Sequence, residues 1–199
     1  MQYSSRHLED LVGRLAKLPG IGKKTAQRLA FHLLRTDKEE AVGLAAAIAR
    51  VRDEVSTCER CGNVAETQPC YFCADERRDG TVLCVVEHPG DVLALEKSGA
   101  YRGQYYVLRG TLAPLDGVTA ADLRIDRLLE RVKSEGIREV ILALNPTSQG
   151  EATSHFLAEV LGGLGVQITR IARGVPMGSE IELSDQATLA RALEGRKQI

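Results

Sequence analysis

The sequence of 199 residues predicts an α/β chain built of several parts, and three observations indicate this fold class. Apolar residues recur at helical spacing through the first third of the chain. Two Cys-x-x-Cys pairs then interrupt that pattern. After them, short apolar runs alternate with helical segments, which is the pattern of a parallel sheet covered by helices. We therefore predict parts at residues 1–55, 56–78, 79–175 and 176–199.

The composition is that of a globular protein, with 44% apolar and 27% charged residues. No run of about 18 apolar residues exists, so we expect no membrane span. The first ten residues lack the apolar core of a secretory signal. Five cysteines without an export signal indicate a reducing compartment, so we expect a cytoplasmic protein in which paired cysteines bind metal.

Three helices are predicted for the N-terminal part, over residues 6–18, 23–34 and 38–55, from the spacing of their apolar residues. Ser4 and Ser5 are candidate N-caps of the first helix. The first two helices are separated by Leu18-Pro19-Gly20-Ile21-Gly22. Pro19 disfavours helical geometry in the residue before it, and we expect both Gly20 and Gly22 to allow a positive φ in a tight turn.

This glycine turn is predicted to bind anions. Free N–H groups and the positive end of the helix dipole favour phosphate at a helix start, and Lys23, Lys24 and Arg28 follow at once. Between residues 11 and 36 the chain has six basic residues and no acidic one, so the remainder carries −7 if the whole carries −1. Such a patch suits a polyanion, with a solvated basic face as the alternative. The phosphate-loop pattern for ATP is absent, because Lys17 stands at its first glycine position.

The four cysteines Cys58, Cys61, Cys70 and Cys73 form two Cys-x-x-Cys pairs separated by eight residues. Four thiolates at this spacing suit one tetrahedral Zn²⁺, and no ligand position is left for water, so the zinc would be structural. Two disulfides or a redox dithiol are the alternatives.

The C-terminal part is predicted to hold a parallel sheet of four strands, at residues 82–86, 105–108, 140–144 and 166–172. Helices are predicted over residues 89–97, 122–132, 150–161 and 186–193. Cys84 lies inside the first apolar run and is expected to be a buried small hydrophobe.

Function in a sheet of this kind lies at the carboxyl ends of the strands. Polar residues follow the first predicted strand at Glu87-His88-Pro89-Gly90-Asp91 and the third at Asn145-Pro146-Thr147-Ser148-Gln149-Gly150-Glu151. Capping of the following helices by Asp91, Thr147 and Ser148 is one expected role. His88 and His155 have no partners at metal-ligand spacing, so we expect structural or surface roles for them.

Two parts of the chain resemble known modules. The Leu-Pro-Gly-Ile-Gly turn with its basic flank resembles the helix-hairpin-helix motif, which grips the DNA backbone through main-chain amides. The layout of the sheet resembles the Toprim domain, where one Glu and an Asp-x-Asp hold Mg²⁺. Here Glu87 matches the first acid, but Asn145 and Thr147 stand at the two Asp positions and Gln149 stands where a Glu is usual. We therefore predict a Toprim fold without Toprim catalysis, since Mg²⁺ needs carboxylate oxygens.

In its order of parts the whole chain resembles the RecR family of bacterial recombination mediators. The resemblance covers both modules, the four cysteines, and two further stretches, Gly150-Glu151-Ala152-Thr153 and Gly174-Val175-Pro176. Lys23 departs from the family pattern, where Pro is common. The resemblance implies a protein without enzymatic activity that forms ring-like homotetramers through N-terminal and C-terminal contacts. It also implies work with RecO and RecF to load RecA on gapped or single-stranded DNA, in the cytoplasm near the nucleoid.

The resemblance implies roles for single residues too. Lys24 and Arg28 match the DNA-contacting hairpin positions of the family, with Gly20 and Gly22 in the turn, and the charge pattern adds Lys23. DNA binding is expected to be independent of sequence and to include single strands and duplexes. The acidic rim, defined as Glu87, Asp91 and Glu151, is the candidate partner surface. The alternatives are a Mg²⁺-dependent DNA-processing enzyme and a protein-only adaptor.

Overall fold

In the computed structural model, which describes residues 4–196 and Gln198, the chain divides into two compact units, with the boundary between Val55 and Ser56. The first unit consists of three helices: α1 (Arg6–Leu15), α2 (Lys23–Arg35) and α3 (Lys38–Glu54). Helices α1 and α2 pack through a small core of Val12, Ala26 and Ala30. Small residues on α2 allow this close approach of two helices.

Helix α1 ends three residues before the predicted position, because the chain turns at once. The amide of Leu18 donates to the carbonyl of Leu15 (3.1 Å) and that of Ile21 to the carbonyl of Leu18 (3.0 Å). Gly20 has a φ of +76°, which makes glycine necessary there, whereas Gly22 is extended at φ −75°. The prediction of positive φ was therefore right for Gly20 and wrong for Gly22.

Helix α3 buries none of its residues. Its apolar residues Leu44, Ile48 and Val51 are 47%, 62% and 61% exposed. On α2, Leu34 is likewise 67% exposed. The three helices of this unit thus leave a large part of its apolar surface uncovered.

The second unit opens with a small cysteine-bearing subdomain and continues into a sheet. The subdomain has an antiparallel pair, β1 (Ser56–Thr57) and β2 (Val64–Ala65), and a short helix, α4 (Tyr71–Ala74). Four parallel strands then form the sheet in the order β4–β3–β5–β6. Its strands are β3 (Asp79–Val86), β4 (Gly103–Val107), β5 (Glu139–Leu142) and β6 (Gln167–Arg170). The associated helices are α5 (Pro89–Ser98), α6 (Ile125–Ser134), α7 (Ser148–Gly162) and α8 (Gln186–Glu194).

Alternate strand residues face two cores, as a strand buried on both faces requires. Leu83 and Val85 of β3 pack with α6 and α7 through residues such as Leu128 and Leu157. On the other face Cys84 and Val86 pack with Val92 of α5. Cys84 is 1% exposed, which confirms its predicted burial.

All four predicted strands and the helices between them are present, and the differences lie at their ends. β3 begins three residues earlier than predicted, and α6 begins at Ile125 instead of Asp122. Among the described residues, none of the helices is both long enough and apolar enough to span a bilayer.

Candidate nucleic-acid interface, metal centre and sheet edge

The four predicted zinc ligands lie together in the described part of the chain. Cys58 and Cys61 stand on the turn between β1 and β2, Cys70 precedes α4 and Cys73 lies within it. Their Sγ atoms are all within 4.8 Å of one another, and all four residues are buried. Gly62 has a φ of +79° and Asn63 accepts from the amide of Cys58 at 2.7 Å, so the turn folds back sharply enough to aim both first-pair thiols inward.

The sulfur positions fit a zinc ion. Four ligands at about 2.3 Å from a tetrahedral Zn²⁺ stand about 3.8 Å from one another. The Sγ atoms of Cys61 and Cys70 are 3.5 Å apart and those of Cys58 and Cys73 are 4.0 Å apart. These separations exclude the S–S bond of a disulfide, and all the cysteines are free. The predicted alternative of two disulfides is therefore not what the fold contains.

Hydrogen bonds to the sulfur atoms also favour thiolates. The amide of Cys70 donates to Cys58 Sγ (3.4 Å) and that of Asn63 to Cys61 Sγ (3.5 Å). The hydrogen bond between Cys61 and Cys70 lowers the pKa of Cys70 and raises the pKa of Cys61, so it favours a thiolate at only one of the two. A thiolate is the form that binds metal, and the two amide donors support it at Cys58 and Cys61. With no position left for water, the zinc here is structural.

Contacts with the sheet fix this cysteine subdomain in the second unit. The amide of Val107 donates to the carbonyl of Cys61 at 2.7 Å. A Cβ on Gly62 would collide with the carbonyl of Val107, so this approach requires glycine. Arg60 forms two 3.0 Å bonds with the carboxylate of Glu135 at the end of α6 and donates to the carbonyl of Cys73 at 2.9 Å. The metal site and the sheet are therefore joined by main-chain and charged contacts.

The glycine turn leads into a helix start that is free to bind an anion. Gly22 is the N-cap of α2, and within the described residues no side chain caps that helix. The first N–H groups of a helix have no partner within it, so they stay available at this end. Lys23, Lys24 and Arg28 are all exposed beside them. The structure thus places the predicted turn and its three cations at one helix terminus.

One of the six basic side chains is already paired with an acid. Asp10 lies just outside the stretch of six basic residues, and its carboxylate accepts from Arg14 Nε at 2.8 Å. This hydrogen bond raises the pKa of Arg14 and occupies its guanidinium. Glu9 also lines a cleft of about 370 Å³ together with Lys23 and Lys24. The positive charge available to a ligand is therefore concentrated at Lys17 and along α2.

The acidic rim lies at the sheet edge. The carboxylates of two of its three members are already bonded to other side chains, so they are not open to a metal ion. Glu87 is only 5% exposed, and its two oxygens accept from the backbone N–H and the side-chain amide of Asn145, both at 2.7 Å. Glu151 pairs with Arg170 at 3.0 Å and with Arg173. The hydrogen bond from Arg173, ahead of the other contributions, lowers the pKa of Glu151.

Asp91 accepts from the amide of His88 at 2.7 Å and Thr147 accepts from that of Gly150 at 3.0 Å. Thr147 thus caps α7 as predicted, whereas Ser148 is the first residue of that helix instead of its cap. Asp91 contributes to capping from the third position of α5, as the acid of a capping box whose N-cap is His88. In the described part of the chain, the four cysteines form the one cluster of three or more metal-ligating side chains. Glu87 belongs to the predicted partner surface, but it is buried and its carboxylate is bonded to Asn145.

Two cationic partners were not identified from the sequence, those of Glu135 and Glu151. Arg60 meets Glu135 from 75 residues away, and Arg173 meets Glu151 from 22 residues away. One signal existed for the second pair. Arg170 and Arg173 follow the last strand, and parallel strands bring their carboxyl ends to one edge of the sheet.

Comparison with known proteins agrees with this order of parts. Family models match along the chain as follows: RecR, helix-hairpin-helix, at residues 8–52; RecR, four-cysteine zinc finger domain, at 55–75; Toprim domain, at 81–172; and RecR, C-terminal, at 174–197. These matches identify the cysteine tetrad as a zinc finger with four cysteine ligands and the sheet as a Toprim domain.

Three proteins named Recombination protein RecR illustrate the full-length similarity. The protein of Chlorobium luteolum is 52% identical, with all of both chains covered. That of Rubrobacter xylanophilus is 49% identical over 98% of each chain, and that of Heliobacterium modesticaldum is 48% identical over all of both. Similarity of this extent, together with the hairpin, the four-cysteine zinc site and the Toprim sheet, shows that the chain belongs to the RecR family of recombination proteins.

Proposed function

We propose that this chain is a non-catalytic DNA-binding mediator of recombination and repair, which acts with RecO and RecF to load RecA on gapped or single-stranded DNA. The observation that carries the proposal is the uncapped start of α2, where free amides lie beside exposed Lys23, Lys24 and Arg28. Such a terminus holds phosphate without reading bases, so the binding is independent of sequence. Membership of the RecR family supports the role in recombination.

An assembly of several copies would make this hairpin effective. One hairpin makes few phosphate contacts, and its affinity is weak at physiological salt. We propose a homotetrameric ring formed through N-terminal and C-terminal contacts. A groove of about 480 Å³ on the first unit, lined by apolar residues of α1, α2 and α3, supports the N-terminal contact. Exposed Ile181, Leu183 and Leu193 support the C-terminal one.

The absence of catalysis is proposed from what surrounds the acids. The carboxylate of Glu87 is occupied by Asn145, and two guanidinium groups stand where a cation would approach Glu151. A metal ion that approached Glu151 would be repelled by the positive charges of Arg170 and Arg173. Plasmid DNA incubated with the protein and Mg²⁺ or Mn²⁺ is expected to stay intact. Protein-dependent nicking that is lost in Glu87→Gln would favour the enzyme alternative.

For RecO and RecF, we propose contact at the acidic rim with the emphasis on Asp91, since Glu87 is buried and Glu151 is paired with Arg170 and Arg173. Glu87 would act indirectly by holding the loop at Asn145. We also propose that the protein is cytoplasmic and associated with the nucleoid, in agreement with a DNA-binding role. RecA filament formation on gapped DNA coated with single-strand binding protein, with RecO and RecF present, is the assay for the mediator activity.

DNA binding itself is tested with labelled single-stranded and duplex oligomers by fluorescence anisotropy. The double variant Lys24→Ala, Arg28→Ala should bind at least about tenfold more weakly, because each lost charge-assisted contact is worth about 1.5–3 kcal/mol. Arg50→Ala, Arg52→Ala is the matched control, since it removes two exposed positive charges from α3. Equal binding by the native chain and the hairpin variant would favour the protein-only adaptor.

A further inference from the structure

We infer that the DNA-binding surface extends beyond the hairpin along α2, and that Phe31 on this surface stacks on a base of single-stranded DNA. This inference rests on the proposed function and names a further binding residue for it. The argument starts from the spacing of four exposed side chains on one helix.

Lys24, Arg28, Phe31 and Arg35 follow one another at intervals of four, three and four residues. Side chains at these intervals share one face of a helix. All four are exposed, whereas Ala26 and Ala30, which α2 buries against α1, lie on the opposite face. The four side chains therefore form a stripe that begins at the hairpin and runs about 16 Å along the outer side of α2.

The stripe is positive along its whole length. α2 contains no acidic residue, and its other end carries His32 and Arg35 in the last turn. Arg35 Nε donates to the backbone carbonyl of Phe31 at 3.2 Å, which holds that guanidinium along the helix one turn from its own position. A phosphate chain that leaves the hairpin thus meets further cations instead of a neutral surface.

Phe31 is unusual in this setting, since it is the one Phe, Tyr or Trp residue in the sequence from Ser4 to Cys70. It is 37% exposed and lines an open groove of about 670 Å³ together with Arg28, His32 and Arg35. Proteins that bind single strands combine a positive groove with aromatic side chains on which bases stack. The groove and the stripe supply both parts, and single-stranded DNA is the polyanion whose bases are free to stack.

The experiment compares three ligands of equal length: an oligo-dT strand, an abasic strand with the same phosphates, and a duplex. The full zinc-loaded chain is measured as native protein and as Phe31→Ala, Phe31→Leu and Phe31→Trp. Stacking predicts that Phe31→Ala and Phe31→Leu lose about tenfold in affinity for oligo-dT. Affinity for the abasic strand and the duplex should change little, since neither presents an unstacked base.

Phe31→Trp gives a direct readout, because the chain has no other tryptophan. Its fluorescence should be quenched by oligo-dT and not by the abasic strand, with affinity for oligo-dT retained. Leu29→Ala is the matched control, since Leu29 is 38% exposed on the same helix and lacks an aromatic ring. Zinc content and sedimentation of each variant report whether folding or assembly has changed.

Unchanged affinity for oligo-dT in Phe31→Ala, or an equal loss for all three ligands, would overturn the inference. A change of oligomeric state in Phe31→Ala would instead assign Phe31 to a contact between copies, and would also overturn it. The proposed function fails separately, if Lys24→Ala, Arg28→Ala still binds all three ligands like the native chain. Loss of binding in that variant with no effect at Phe31 would leave the hairpin proposal standing.

Discussion

Gly150 shows how one residue fixes the sheet edge. It lies in the first turn of α7, where a Cβ would stand 2.9 Å from Glu87 Oε1 and would collide with the carbonyl of Asn145. The absent side chain lets the helix start approach the loop that Glu87 holds. The short contact is with backbone, which cannot move aside as a flexible side chain can.

We expect Gly150→Ala to destabilise the protein by about 1–3 kcal/mol, the usual cost of overpacking. At a helix position with free space around it, a change from Gly to Ala stabilises the protein by up to about 1 kcal/mol. The direction of the change in unfolding free energy therefore distinguishes the two cases. Gly162→Ala is the matched control, because it stands in the last turn of α7 with nothing within 4 Å of the added Cβ. Urea unfolding of the two variants decides between steric conflict and simple helix propensity.

The cysteine tetrad allows a second prediction for single residues. Cys58→Ala, Cys61→Ala should lose zinc and lower the melting temperature by at least about 10 °C, because metal binding supplies folding free energy. Cys84→Ala should retain one zinc per chain and lose little stability, as its thiol is buried on β3 away from the tetrad. An unchanged melting temperature in the double variant would show that the metal is dispensable for this fold.

Among the elements, the cysteine subdomain and α6 are joined by a charged cluster. The carboxylate of Glu135 accepts from Arg60 and also from Arg131 Nε at 2.8 Å. Arg131 is almost wholly buried, with 4% of its side chain exposed, and it also donates to the carbonyl of Tyr105 at 2.8 Å. Burial alone would raise the pKa of Glu135, but the hydrogen bonds from the two arginines outweigh it and lower the pKa.

We expect Glu135→Gln to destabilise the protein by about 1–2 kcal/mol near pH 7, at the low end for a charged contact because 26% of the Glu135 side chain is exposed. A carboxylate with a lowered folded pKa stabilises above its unfolded pKa of about 4.3, and that stabilisation is lost as the pH falls. The stability difference between the native chain and the variant should therefore shrink below about pH 4.5.

Urea unfolding at several pH values measures this difference, with zinc content determined at each pH. Both proteins carry the same tetrad, so protonation of the thiols acts on both alike. A difference that stays constant with pH would mean that Glu135 acts through packing instead of charge.

The elements also show what the sequence could predict. The strands were predictable because residues such as Val85 and Val140 belong to continuous apolar runs, and the tetrad because its spacing is local. The end of α1 was not, since it depends on the carbonyl of Leu15 meeting the amide of Leu18. The contact of Glu135 was not predictable either, because Arg60 reaches it only in the folded chain and leaves no local pattern. For Glu151, the position of Arg170 and Arg173 after the last strand was a signal for the pairing.

At the scale of the whole molecule, the proposed assembly and the DNA contact are linked. The first unit exposes the apolar side of α3, and the same unit carries the basic hairpin. Copies that associate through the apolar groove would repeat the hairpin, and the linked sites would bind at high effective concentration. The number of phosphates contacted then exceeds what one chain could reach.

The salt dependence of duplex binding tests this central claim most directly. The logarithm of the binding constant falls with the logarithm of the salt concentration, with a slope of about −0.9 for each phosphate neutralised. We predict a slope clearly steeper than about −3 for the native chain, and a shallower slope for Lys24→Ala, Arg28→Ala, since each lost phosphate contact removes about one unit. A native slope of about −3 is the value for about three phosphates, which one hairpin could contact. That slope, or the same slope in both proteins, would contradict the account of a repeated hairpin that clamps DNA.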